Sequence, residues 1–99
     1  MITVVVTPKC GKAEDWPVHN LSSLIVDGSF FVVGEIEYNL QSISSVEFYQ
    51  PGLANEQWTK LLIIKEKIHR QGVAVHGYDH VYESPKKLDF SHATKEAND

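Results

Sequence analysis

Leu24 to Val33 reads LIVDGSFFVV, two short apolar runs joined by Asp27-Gly28. Asp-Gly at such a junction supplies the positive φ angles that a tight hairpin demands, so this segment commits the chain to antiparallel sheet. Hairpins, unlike strand–helix–strand crossovers, lead away from the nucleotide-binding α/β folds whose loops advertise a chemistry. The 99 residues hold no phosphate-cradling, catalytic or metal motif of recognised specificity.

Around that hairpin the sequence predicts further sheet. Ile2 to Thr7 is β-branched almost throughout and stops at Pro8, which cannot donate to a ladder. Residues 8–20 (PKCGKAEDWPVHN) read as a loop, with Trp16 folding back to cap one end of the core. The hairpin strands are Ser22–Val26 and Phe30–Val33. Gly34 reads as a bulge that lets the second strand bend and continue through Glu35-Ile36-Glu37-Tyr38, with Ile36 and Tyr38 on one face and the two glutamates on the other. Asn39 to Ser42 supplies a turn. Ser44 to Tyr49 then alternates, Val46 and Phe48 inward and Ser45, Glu47 and Tyr49 outward.

Pro51-Gly52 ends this pattern and the apolar period lengthens to about 3.6. A helix is expected from about Leu53 to Gln71, with Ala54, Trp58, Leu61, Leu62 and Ile68 on its buried face, Asn55 as its cap and Gly72 at its end. Ile63 falls on the polar side, where it meets a second element or a partner. Val73 to His76 predicts a fifth strand, extended by Val81-Tyr82 after a turn at Gly77-Tyr78. From Ser84 onward aliphatic residues almost vanish, Leu88 and Phe90 excepted, so residues 1–83 read as one globular domain and 84–99 as a polar, mobile tail. No internal repeat or low-complexity tract stands out. The expected fold class is α+β: a bent antiparallel sheet of four to five strands with one long helix on one face, in the order β-β-β-β-α-β.

Formal net charge is −4, unevenly spread. Met1 to Gln57 holds two lysines against seven acids, whereas Trp58 to Lys87 holds six cations against three acids. An acidic sheet half and a mildly basic helix half suit a charged protein partner better than a polyanion, and no basic run interleaved with aromatics points to nucleic acid. The single cysteine, Cys10, cannot form an internal disulfide, which fits a reducing compartment. MITVVVT is too short for a signal-peptide core or a membrane span, so a cytoplasmic location is expected, with no membrane partner.

Five histidines stand out in a chain of this size, and His76-Gly-Tyr-Asp79-His80 sets two of them four residues apart. His76, Asp79 and His80, joined by Cys10 or His19 from the long first loop, would make a ligand set acceptable to zinc. A strand end and a strand start account for the same residues without a metal. Cys10, between Lys9 and Lys12, has the setting of a favoured thiolate, but neither a base nor an orienting group is fixed by spacing. Glu35 and Glu37 point outward on a solvated face, the wrong place for a general acid/base pair.

Tyrosines beside acidic positions are what protein interfaces favour. The sequence therefore predicts a small protein-binding module rather than an enzyme, of inhibitor or immunity type, that blocks a protein partner through an acidic and aromatic sheet face of Glu35, Glu37, Tyr38, Glu47 and Tyr49. No cofactor is expected, and a homodimer is open to the chain through an edge strand or Ile63. Two alternatives stand beside it: a metal-binding protein or metal-dependent enzyme built on the histidine cluster, and a small-ligand binder in the concavity between sheet and helix.

Overall fold

The computed structural model describes residues 2–83. The expectations for residues 84–99, Leu88 and Phe90 included, lie outside the described residues. The fold is α+β, with seven strands in two sheets and one α-helix among the described residues. In chain order the strands are β1 (Ile2–Pro8), β2 (Glu14–Val18), β3 (Leu24–Asp27), β4 (Phe30–Val33), β5 (Ile36–Asn39), β6 (Ile43–Tyr49) and β7 (Ala74–Tyr78), with α1 (Asn55–His69) before the last. A four-stranded sheet runs β2-β1-β6-β7, and a three-stranded meander runs β3-β4-β5.

The core fills the space between the large sheet and a second layer made of the meander and α1 side by side. Ile2, Val4 and Val6 of β1 and Val46 and Phe48 of β6 face inward, alternating as the pleat requires. From the other layer Leu24, Phe31 and Val33 meet them, and Phe31 sets its ring edge-on to Phe48 at 6.4 Å. The helix closes the far side against β7 and β3 through Leu61 and Ile68, with Trp58 and Ile64 packed alongside.

The predicted hairpin is present with its turn one residue later than expected. Gly28 and Ser29 are its central pair, and Asp27 already pairs with Phe30. Gly28 has φ +59° and Ser29, like every other described non-glycine residue, does not have positive φ, the pattern of a type II′ turn. Gly34 is not a bulge: its φ is +62°, and Gly34-Glu35 forms a second two-residue turn that brings Ile36 opposite Val33. The strand expected to bend instead reverses, and β5 pairs back on β4 within the three-stranded sheet.

Other departures have local causes. The long loop contains β2, an edge strand paired only with β1, where Pro17 is tolerated because its outer edge needs no donor. β7 runs without a turn through Gly77 and pairs parallel to β6, because α1 carries the chain back to the starting end of the sheet. The large sheet is therefore mixed. Asn55 is the first helical residue rather than the cap; Ala54 occupies the cap and makes no side-chain bond. Leu62, expected on the buried face, is 55% exposed, as Ile63 is at 51%.

Two short segments are near copies of each other. Asn20-Leu21-Ser22-Ser23-Leu24 and Asn39-Leu40-Gln41-Ser42-Ile43 both form a 3-10 turn, over Leu21–Ser23 and Leu40–Ser42. In each the asparagine Oδ1 accepts the N–H two residues on at 3.0 Å, and the leucine is buried. The first carries the chain from the large sheet into the meander, and the second carries it back.

Among the described residues one polar side chain sits wholly inside. Gln50, on the inward face just past β6, is fully buried, and neither its amide nitrogen nor its oxygen has a hydrogen-bond partner among the described residues. Gly77 lies beside it: a Cβ there would stand 3.6 Å from the Gln50 Nε2 and would displace only the flexible end of the Lys65 side chain. An unpaired buried amide costs about 1–3 kcal/mol, so Gln50→Met is expected to stabilise the fold by about 1–2 kcal/mol. Urea denaturation checks this; an unchanged or lower midpoint would mean that the amide is satisfied in solution.

Candidate functional site

Register decides which side chains share the outer face of the large sheet. Asp15 stands opposite Val5, Val5 opposite Glu47 and Glu47 opposite His76; one step along, Thr3 stands opposite Tyr49 and Tyr49 opposite Tyr78. Directly opposed residues project to the same side, so these side chains point away from the core as one layer. After β7 the chain turns at Asp79-His80 and returns across this face, adding His80 and Tyr82 to it. Val5, at the centre, is buried although it lies outside the core cluster.

The aromatic rings form one connected group. Tyr49 stacks on Tyr78 at 4.8 Å and 20°, as their register demands, and has Tyr82 at 4.9 Å and His80 at 5.4 Å inclined to it by 55° and 66°. His76 and His80 both lie beside Tyr78. Acidic groups edge the cluster. The Tyr49 hydroxyl donates to the Glu47 Oε2 at 3.4 Å. Burial, followed by the charges of Glu47 and of the neighbouring tyrosines, holds the Tyr49 phenol above its ordinary value; burial, followed by the charges of Asp15 and Glu47, does the same for Tyr82. A pocket of about 450 Å³ opens here, lined by Tyr49, His80, Val81, Tyr82 and Glu83.

The five residues of the expected acidic and aromatic face fall into two places. Glu47 and Tyr49 lie in the cluster just described. Glu35 occupies the β4–β5 turn, and Glu37 sits on the outer face of the meander in a row with Val32 and the exposed Ile25. Tyr38 turns the other way, toward the layer interface, where its hydroxyl accepts the Trp16 indole N–H and donates to the Glu14 carboxylate at 2.9 Å. This chain of bonds clips β5 to β2, one strand from each sheet. Trp16 does pack on the core, as its sequence context suggested.

Among the described residues no group of three His, Cys, Asp or Glu side chains is placed to hold an ion. Asp79 instead accepts the Gly52 N–H at 3.2 Å, fastening the end of β7 to the turn before α1. Cys10 is exposed in the loop between β1 and β2. His19 lies with Glu35 on a cleft of about 400 Å³ floored by Trp16, Val33 and Ile36. Between sheet and helix there is an open groove of about 370 Å³ lined by Leu62, Lys65, Glu66, His69 and Val75. Sequence reasoning missed Tyr78 and Tyr82 because it placed a turn at Gly77-Tyr78; parallel pairing is what aligns Tyr78 with Tyr49.

No family model, no curated protein and no solved structure matches this chain. Among the described residues no helix is long and apolar enough to cross a membrane.

Tyr38 is the titrating group with the clearest consequence. Burial and the bond to Glu14 push its phenol up to about 12, against the opposing donation from Trp16. A raised folded-state value means that the unfolded chain loses this proton first, near pH 10, so its contribution is complete below pH 10 and is lost as pH rises through about 12. Tyr38→Phe is expected to cost about 1 kcal/mol near neutrality by breaking the clip. Urea midpoints at pH 9 and pH 11 should fall further in the parent than in the variant, and equal falls would remove Tyr38 as the cause.

Proposed function

We propose that this chain is a protein-binding module whose partner docks on the outer face of the four-stranded sheet, centred on Tyr49, Tyr78, Tyr82 and Glu47. The observation that carries this reading is the connected layer of aromatic rings on a sheet face, bordered by Asp15, Glu47 and Glu83 and without a lysine or arginine at any outward strand position. Tyrosines offer large rigid contact area at little entropic cost, and a one-signed rim steers an oppositely charged partner. An inhibitor or immunity-type role follows if the docked surface is the partner's working site. The same face is open to a second copy of the chain, which would appear as a homodimer.

Glu35, Glu37 and Tyr38 are outside this reading. The expected result is that Tyr49→Ser and Glu47→Lys each weaken retention of a stoichiometric partner from native lysate at least about tenfold, the scale of a hot-spot truncation, while Glu37→Lys leaves it unchanged. Loss with Glu37→Lys alone would move the interface to the meander.

One observation favours a second reading, small-ligand binding: the cleft over Trp16 is mostly apolar and offers His19 and Glu35 at its rim. Its test is a ligand-library screen read by Trp16 fluorescence in a Trp58→Phe background.

A further inference from the structure

We infer that the pocket between Tyr49, His80, Tyr82 and Glu83 seats an arginine side chain of the partner, an assignment that rests on the binding face proposed above. The pocket measures about 450 Å³, ample for a guanidinium and its methylene stem. Tyr78 covers Tyr49 on one side, while Tyr82 and His80 stand inclined to it, so the rings form a corner rather than a closed stack. In such a corner a guest can lie against the negative face of a ring, the side of the quadrupole that attracts a cation. A cation within about 6 Å of a ring centroid gains from that quadrupole.

The carboxylates sharpen the preference. Glu83 lines the pocket, Glu47 receives the Tyr49 hydroxyl, and Asp15 stands by the Tyr82 hydroxyl. A phenol that donates to a carboxylate carries more electron density on its ring, which deepens the attraction for a cation. No lysine or arginine on β1, β2, β6, β7 or residues 79–83 offsets these charges. Anionic guests are thereby disfavoured. Among cations, guanidinium fits best because it is planar, stacks on tyrosine and offers a fork of N–H donors to Glu83, whereas ammonium is a strongly hydrated point charge.

The test titrates the full chain with N-acetyl-arginine amide, its neutral isostere N-acetyl-citrulline amide, and tetramethylammonium, following tyrosine ring and His80 signals by NMR. Lys86 and Lys87 follow Glu83 closely in sequence, so the series is repeated on K86Q/K87Q to prevent the chain's own cations from occupying the site. The arginine probe is expected to saturate with shifts confined to Tyr49, His80, Tyr82 and Glu83, and citrulline to bind about tenfold more weakly or worse. Glu83→Gln, at an exposed position that leaves the core untouched, is expected to weaken the arginine probe and not citrulline. Equal binding of arginine and citrulline, or no saturation in either chain, overturns the cation site. Tighter binding of tetramethylammonium than of arginine overturns the guanidinium assignment in favour of a quaternary ammonium guest. If the arginine probe fails while Tyr49→Ser still releases the partner, the binding face stands and only the cation site falls.

Discussion

The inner face of the large sheet is wider than any single element of this chain can cover, and the rest of the architecture answers that mismatch. Four strands spaced about 4.8 Å apart present a face some 15–20 Å across, whereas a helix with its side chains covers about 10 Å. The 15-residue α1 shields the β7 side only. Val4, Val6, Val46 and Phe48 would remain wet without the meander, whose Phe31 and Val33 complete the core. The side-by-side second layer is thus a packing necessity, and the tight turns at Gly28 and Gly34 let so short a segment supply three strands.

Dividing the chain between two sheets creates a transit problem, since the backbone must leave one layer and return without stranding polar groups. Both transits use the same Asn-Leu device: the asparagine side chain satisfies a backbone N–H while the leucine anchors the corner in the core. The Trp16–Tyr38–Glu14 chain adds a polar clasp across the open side of the sandwich. With α1 holding the other side, the two layers are fixed at both flanks.

Local chemistry in the sequence foretold much of this. Asp27-Gly28 announced a hairpin, strict alternation placed Val46 and Phe48 inside, and Pro51-Gly52 marked the change to a helix. What escaped depends on partners distant in sequence. Glu14–Val18 is too charged and proline-bearing to look like a strand, and becomes one because β1 offers an unpaired edge. Gly34 supports a bulge or a reversal equally well by composition; only the pairing of Val33 with Ile36 decides. Val73 to Tyr78 carries no mark of parallel pairing. Of the expected site, Glu47 and Tyr49 fell in one cluster because they share a strand, whereas Glu35, Glu37 and Tyr38 were separated from them by a sheet division that no residue signals.

The pairing of β1 with β6 has a consequence for how the molecule assembles. These central strands lie about forty residues apart in sequence, while every contact within the meander spans only a few. Closing the long loop costs chain entropy before any long-range contact rewards it, whereas a hairpin with a glycine turn forms in microseconds. The meander is accordingly the natural first structure, and its packed face becomes the template on which the outer segments meet. The apolar first strand, Ile2 to Thr7, can pair at once with the nearby β2, but its second edge is filled only by β6. One edge of β1 is therefore covered by a neighbour close in sequence and the other by a strand about forty residues on, so the centre of the large sheet is completed only when the meander has already been laid down between them.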